Sequence, residues 1–470
     1  MKKIRVLVVL VIAGMSLHAQ SWTDVFTLSA WGRGVITPYA FSGGDSSVSA
    51  VTTTSGNEPQ IGFTIKGTGR SERIGFHIDA TWDGGIPGVE DNAKVWVRPF
   101  DFIKLTAGWF MEDDLRGTIP ASEFVSWLLP NSGKDEDAYF TRFQATAGAH
   151  FKLEPLFWLD SPWNGLLIEG AFGSNVPPLG TTTDDERAPR RIIGLKAADV
   201  YKGMQIGIGY TIPDVGFARF QFIGNKRNQL VPDYTWRSFP RGQLVWDGLS
   251  KHTDADVIEG ALSFTRIDGL IVEAGGKVPQ KYTTDVSFEE YPALMPNPAV
   301  PSADTEERIV QRPYSIAAGA NWTPSFFDAL NIIARFDYSF GGRIEEKGHH
   351  LIKFGSSMGI WILASYKILG NLKVGIDFGM EIKEDDQWQQ PIGRPRLERT
   401  AGSGYNDFGI GPWVEMSFGG GRIRTGPVIM IPGSERYVWV SGNSTGYEFQ
   451  QAFSGNPVIS FPISFTYNLF

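Results

Sequence analysis

The sequence predicts an all-β protein: a transmembrane, antiparallel, up-and-down β-barrel of about 18 strands. Three observations lead there. Apolar and polar residues alternate with period two in segment after segment, and successive strand side chains point to opposite faces. The connections fall into two sizes, short turns and long polar stretches, an asymmetry typical of membrane barrels. Charged residues are 20% and mean hydropathy is -0.13, too polar for a helical membrane protein, yet there are 55 Gly, 15 Trp, 14 Tyr and 32 Phe. A barrel with a wet inner face and aromatic belts at both headgroup levels has this average.

Lys2, Lys3 and Arg5 precede an apolar run from Val6 to Leu17, followed by small or polar residues through Ala19 and Gln20. This is the layout of a secretory signal peptide, and the run is short of the roughly 20 residues of a spanning helix. Residues 1–19 are therefore expected to be cleaved, with 20–470 forming the barrel. Cysteine is absent, which excludes disulfides, thiolate metal sites, a Cys nucleophile and a lipoprotein anchor. The net charge is -8; without Lys2, Lys3 and Arg5 it is 40 basic against 51 acidic residues, or -11. An acidic chain with no basic stripe argues against nucleic acid as a partner.

The first strand is expected around Phe26 to Ile36, too early to leave length for an N-terminal plug. Further on, Ile74, Phe76, Ile78, Ala80 and Trp82 alternate with Gly75, His77, Asp79 and Thr81. Leu330, Ile332, Ala334, Phe336, Tyr338 and Phe340 alternate with polar residues, Ile333 being the apolar exception, and Leu372 to Ile382 repeats the pattern. An amphipathic helix would place its stripe at spacings of three and four instead. Short turns are expected near Gly69, Pro99, Pro213, Asp268, Gly370 and Gly419. The long stretches include Ser42 to Pro59, Met111 to Asp137, Asn225 to Asp256, Lys277 to Arg312 and Pro432 to Pro457. Because strand number should be even, the count reaches 18 if Ile192 to Ile212 is one strand. It falls to 16 if Ala93 to Arg98 does not cross the membrane.

With apolar faces outward, the inward residues can be named. Arg33, Lys66, Lys94, Arg98, Lys104, Arg422 and Arg424 form a candidate basic wall around the seam between the first and last strands. Elsewhere the inward charges are mixed or acidic: Glu169, Glu259, Glu273, Arg335, Asp337, Asp377 and Glu381. No uniform sign emerges beyond an anion preference near the seam. The stretch Asn225 to Asp256 mixes Lys226, Arg227, Arg237 and Arg241 with Tyr234, Trp236, Phe239 and Trp246. It suits either loop packing above the barrel or a pore-mouth contact with a sugar or anionic polymer.

The segment Val458 to Phe470 alternates Ile459, Phe461, Ile463, Phe465, Tyr467 and Leu469 with small or polar residues and ends on Phe470. It resembles the C-terminal insertion signal of Gram-negative outer-membrane barrels, carried here by Phe465, Tyr467, Leu469 and Phe470, although Phe470 falls on the Asn468 side. The chain as a whole resembles an outer-membrane porin. That resemblance implies passive diffusion of small hydrophilic solutes, contact with outer-membrane lipid and the barrel-assembly machinery, and a homo-oligomer such as a trimer. It also implies that Met111 to Asp137, the connection between the fifth and sixth strands, folds into the lumen with Glu112, Asp113, Asp114 and Glu123 facing the basic wall. The plainer reading leaves those acids solvated at the surface.

No metal or cofactor is expected: the six histidines lack zincin spacing, and Walker, dinucleotide and nucleophile-elbow motifs are absent. The chain is thus not expected to be an enzyme. Acid clusters at Asp184 to Glu186 and Asp385 to Asp386 suit solvated loops better than calcium sites. Two other functions remain open: a non-transporting, adhesin-like surface barrel, and a transporter of hydrophobic compounds similar to the fatty-acid transporter family, which carries an N-terminal hatch.

Overall fold

In hydrocarbon no water satisfies a backbone N–H or C=O, so strands can cross only if every edge is paired, and closure removes the edges. The computed structural model describes residues 26–42, 45–49, 60–69, 73–83, 86–112, 143–154, 165–173, 204–224, 229–237, 243–252, 256–286, 306–311, 313–346, 350–384, 387–389, 404–433, 436–442, 446–453 and 457–468. It contains one closed antiparallel cylinder of 18 staves. The first six are β1 (Phe26–Ser42), β2 (Gln60–Thr68), β3 (Ile74–Asp83), β4 (Ile86–Phe100), β5 (Ile103–Glu112) and β6 (Phe143–Leu153). Then come β7 (Leu166–Gly173), β8 (Met204–Ile212), β9 (Gly216–Ile223), β10 (Val257–Phe264), β11 (Leu270–Pro279) and β12 (Ser315–Trp322). The circuit continues through β13 (Leu330–Ser339), β14 (Ser357–Leu369), β15 (Leu372–Lys383) and β16 (Tyr405–Phe418).

The last two staves are each broken once: β17 is Gly421–Thr425 and Val428–Pro432, and β18 is Val458–Ser460 and Ile463–Asn468. The terminal strand, expected to run unbroken, is interrupted at Pro462, whose ring nitrogen cannot donate to the ladder. The Thr425 hydroxyl donates to the Pro462 carbonyl at 3.1 Å, stitching the two breaks together. Each stave pairs with the next, and β18 closes on β1 from Trp31 opposite Asn468 to Ile36 opposite Ile463. The segment Ala93 to Arg98 lies within β4, paired on both sides, which gives 18 staves and not 16. Of Ile192 to Ile212, residues 204–212 form β8; the remainder lies outside the described residues.

The two faces invert the order of a soluble protein. Ile61 (56%), Val95 (59%) and Leu262 (64%) are exposed on the outside, while Glu169 and Asp377, at 0%, are covered on the inside. One rim carries short connections, such as Phe100 to Ile103, Leu369 to Leu372 and Phe418 to Gly421. Aromatic rings gather there: Trp322 with Phe326, Phe327 with Tyr366, and Phe418 with Tyr467. Tyr314, Phe340 and Tyr338 cluster at the other rim.

Beyond that second rim, stretches read as loops in the sequence carry further strands. Gln229–Arg237 and Gln243–His252 form a hairpin, joined through Leu244 opposite Tyr447 to the hairpin Arg436–Gly442 with Gly446–Phe453. A separate five-stranded sheet combines Tyr282–Val286, Glu306–Gln311, Gly342–Glu346, His350–Phe354 and Gln387–Gln389. His350 opens the strand His350–Phe354. Among the described residues no helix is long and apolar enough to cross a membrane, which says nothing of strands.

Candidate functional site

The register puts the positions of the seven basic candidates on neighbouring staves around the closure seam. Arg33 lies opposite Gln60 and Thr466. Lys66 pairs laterally with His77, and His77 with Lys94, so three staves bring these residues into one row. Lys94 is buried, whereas Arg98 is half-buried. Lys104 lies opposite Lys152, with its Nζ 6.0 Å from the centre of the Trp96 ring. Across the seam, Arg422 lies opposite Ser417 and Thr466, and Arg424 opposite Glu415 and Ser464. The arc also contains an acid. Asp79 accepts from Thr64 Oγ1 and Asn92 Nδ2 at 2.8 Å each and lies 2.8 Å from His77 Nε2.

The remaining arc carries carboxylates that are covered and engaged. Glu259 is 1% exposed, accepts from Gln221 and lies 3.8 Å from Lys277. Asp377 accepts from Trp413 Nε1 at 3.1 Å. Glu415 accepts from both Nε (3.0 Å) and Nη2 (2.8 Å) of Arg424, and Asp337 accepts from Arg335 Nε at 3.1 Å. Glu169 sits 4.0 Å from His150, and Glu273, Glu381 and Asp407 are buried on the same face. A buried charge is costly unless paired, and Glu259, Asp377, Glu415 and Asp337 each accept a hydrogen bond from a neighbouring side chain.

Tryptophans flatten this face. A Cβ on Gly62 would stand 2.3 Å from Trp31, one on Gly75 2.4 Å from Trp96, and one on Gly375 2.2 Å from Trp413. Only glycine lets those rings lie against the neighbouring stave. Arg424 covers the Trp413 ring at 4.3 Å and Arg335 lies 5.4 Å from that of Trp361. Sequence reasoning did not find these pairs, although each Gly and Trp stands on the polar side of an alternating strand. It also passed over Lys152 and Lys367, the partners that the ladders bring opposite Lys104 and Lys373.

At the top of β5 the register to β6 shifts between Gly108 and Phe110. Gly108 has φ +121°, and a Cβ there would lie 2.4 Å from the Ala93 carbonyl oxygen. Phe110 follows on the polar face, fully buried, its ring 5.6 Å from that of His150. Glu112 is the last residue of β5; Asp113, Asp114 and Glu123 lie outside the described residues. So do residues 1–19, both acid clusters, Leu469 and Phe470. Phe465 and Tyr467 are on the outer face, each 39% exposed, and the Phe465 ring fills the space over Gly34 at the seam. Among the described residues no three His, Cys, Asp or Glu side chains are grouped to hold a metal.

No protein-family model and no curated protein matches the sequence. Solved structures of similar shape include the anion-selective porin from Comamonas acidovorans, at 10% identity and TM-score 0.43, covering 94% of this chain and 100% of that one. Others are the loop L8 deletion mutant of OmpT, an outer-membrane protein of Vibrio cholerae (11% identity, TM-score 0.40, 95% and 100% covered), and OmpF of Salmonella typhi (10%, 0.40, 94% and 97%). These likenesses are too distant to assign residues or roles. On its own architecture the chain is a closed antiparallel β-barrel of 18 staves, with apolar residues outside and charged residues inside.

Proposed function

We propose that the barrel is a passive channel for small hydrophilic solutes, without catalysis. The carrying observation is the inversion of its faces: a cylinder of 18 staves is too wide for side chains to fill, and its inner face is charged. The protein is read as exported by cleavage after Ala19, inserted by the barrel-assembly machinery and surrounded by outer-membrane lipid, with trimerisation as the resemblance implies. Arg33, Lys66, Lys94, Arg98, Lys104, Arg422 and Arg424 line one side of the path. The connection Met111 to Asp137 narrows it, a reading supported by the register shift at Gly108 and by Phe110, buried on the lumen face just before the connection begins. Carboxylates facing a basic wall in a narrow pore set up a transverse field that favours dipolar solutes.

Planar-bilayer recording of the folded protein tests the channel; discrete ohmic steps support it and silence of correctly folded barrels refutes it. Changing Glu112, Asp113 and Asp114 together to Lys should move the reversal potential in a salt gradient toward anions. An unmoved potential places the connection outside the pore. The two extramembrane sheets favour a second reading, a surface-display barrel. That reading predicts no conductance.

A further inference from the structure

From β10 to β16 every ladder keeps its register between the rims. The three interfaces at the closure seam are interrupted at one level. Val414 faces Thr425 and Ile410 faces Ile429 in a single register, yet the rungs between them are missing where Pro412 stands opposite Pro427. On the next interface Thr425 faces Ile463 and Val428 faces Ser460, and the gap sets Gly426 and Pro427 against Phe461 and Pro462. Between β18 and β1 the pairs Ile463 with Ile36 and Ser460 with Ala40 enclose a bulge, with Thr37, Pro38 and Tyr39 opposite Phe461 and Pro462. Pro412, Pro427, Pro462 and Pro38 thus lie side by side on consecutive staves. Proline inside a sheet is ordinarily confined to edges and bulges. Here the band crosses the middle of the wall: Pro412 stands midway along β16, opposite the exposed outer-face residue Ile376.

Parting two staves in hydrocarbon exposes N–H and C=O groups that nothing there can satisfy. A proline has no N–H to expose, so parting costs least along this band. The closed seam uses other contacts instead. The Thr425 hydroxyl donates to the Pro462 carbonyl, and Gly426 lets β17 press on β16, since a Cβ there would collide with the Pro412 carbonyl oxygen. Both faces beside the band are apolar. Outside are the exposed Phe461 with Ile429 and Ile463; inside, Val428 and Met430 are buried, and Val428 clusters with Trp413 and Leu363. Charged groups flank the band: Arg424 with Glu415 below it, Asp407 above it, and Asp377 bonded to Trp413 Nε1.

We propose that this band is a lateral gate: β17 and β18 part at the seam in mid-membrane, and solutes with an apolar part pass there between the lumen and the bilayer hydrocarbon. The gate goes beyond a purely aqueous path, and its opening is measured apart from conduction.

Hydrogen exchange of the full-length protein in lipid nanodiscs reads the opening. Amides of 408–414, 425–431 and 458–464 should exchange roughly tenfold faster than those of 332–338 and 360–366, because the missing rungs lower the cost of local opening. Equal protection overturns the gate. Passage is tested with a disulfide staple, which is unambiguous because the chain has no cysteine. Ile429→Cys with Ile459→Cys joins facing positions of β17 and β18, and Ala334→Cys with Ile362→Cys is the control on an unbroken ladder. Cells carrying the barrel in an intact outer membrane should brighten faster with N-phenyl-1-naphthylamine, an uncharged aromatic dye that fluoresces in hydrocarbon, than cells without it. The seam staple should slow that entry, a thiol reductant should restore it, and the control staple should leave it alone. Entry unchanged by the seam staple overturns the gate, as does an equal loss of dye entry and sugar-driven liposome swelling, since the staple would then act on the lumen. Dye entry through a barrel that swells no liposomes would instead refute the channel and leave the gate standing.

Discussion

Trp361 and Ile362 are adjacent on β14 and occupy different solvents. Ile362, 41% exposed, sits on the outer face between Ala334 and Phe378. Trp361, 5% exposed, turns inward beneath Arg335 and near the buried Asp377 wall. Outside, side chains need only be apolar, and lipid supplies the burial. Inside, many of the charged residues are buried, and an unpaired buried ion is costly, so partners matter. The outer face therefore tolerates exchange among apolar residues, while the inner face depends on particular pairs.

Three substitutions press on that difference, in falling order of effect. Glu415→Ala removes the acceptor of two Arg424 bonds and strands a guanidinium over Trp413, a loss of about 3 kcal/mol or more in unfolding from lipid vesicles. A near-zero change would mean that water already solvates Arg424. Ile362→Lys places a charge near the middle of a lipid-facing stave, at a cost of roughly 2–4 kcal/mol; wild-type stability in the same assay would show that this position does not meet hydrocarbon. Gly375→Val drives a side chain into the Trp413 ring, which Asp377 and Arg424 hold in place, at about 1–3 kcal/mol. Tryptophan fluorescence should shift with it, and an unchanged spectrum would show the ring free to move aside.

Local alternation was enough to read the staves, because lipid on one side and water on the other impose a period-two pattern along each strand. The polar stretches Asn225 to Asp256 and Lys277 to Arg312 concealed the strands Gln229–Arg237 and Tyr282–Val286, which are not staves of the barrel. Alternation was enough to nominate the residues of the basic arc, but not to name their neighbours. That Lys104 meets Lys152, or that Trp413 lies on Gly375, depends on register between strands, which only the folded ladder fixes. Pro462 shows the same limit: alternation continues through it, but the missing N–H breaks the stave.

Permeation itself tests the central claim most directly. Liposomes carrying the folded barrel, challenged with uncharged sugars of increasing size, should swell at rates that fall steadily as the sugar grows. Rates equal to those of protein-free liposomes for even the smallest sugar would contradict a water-filled path through the cylinder.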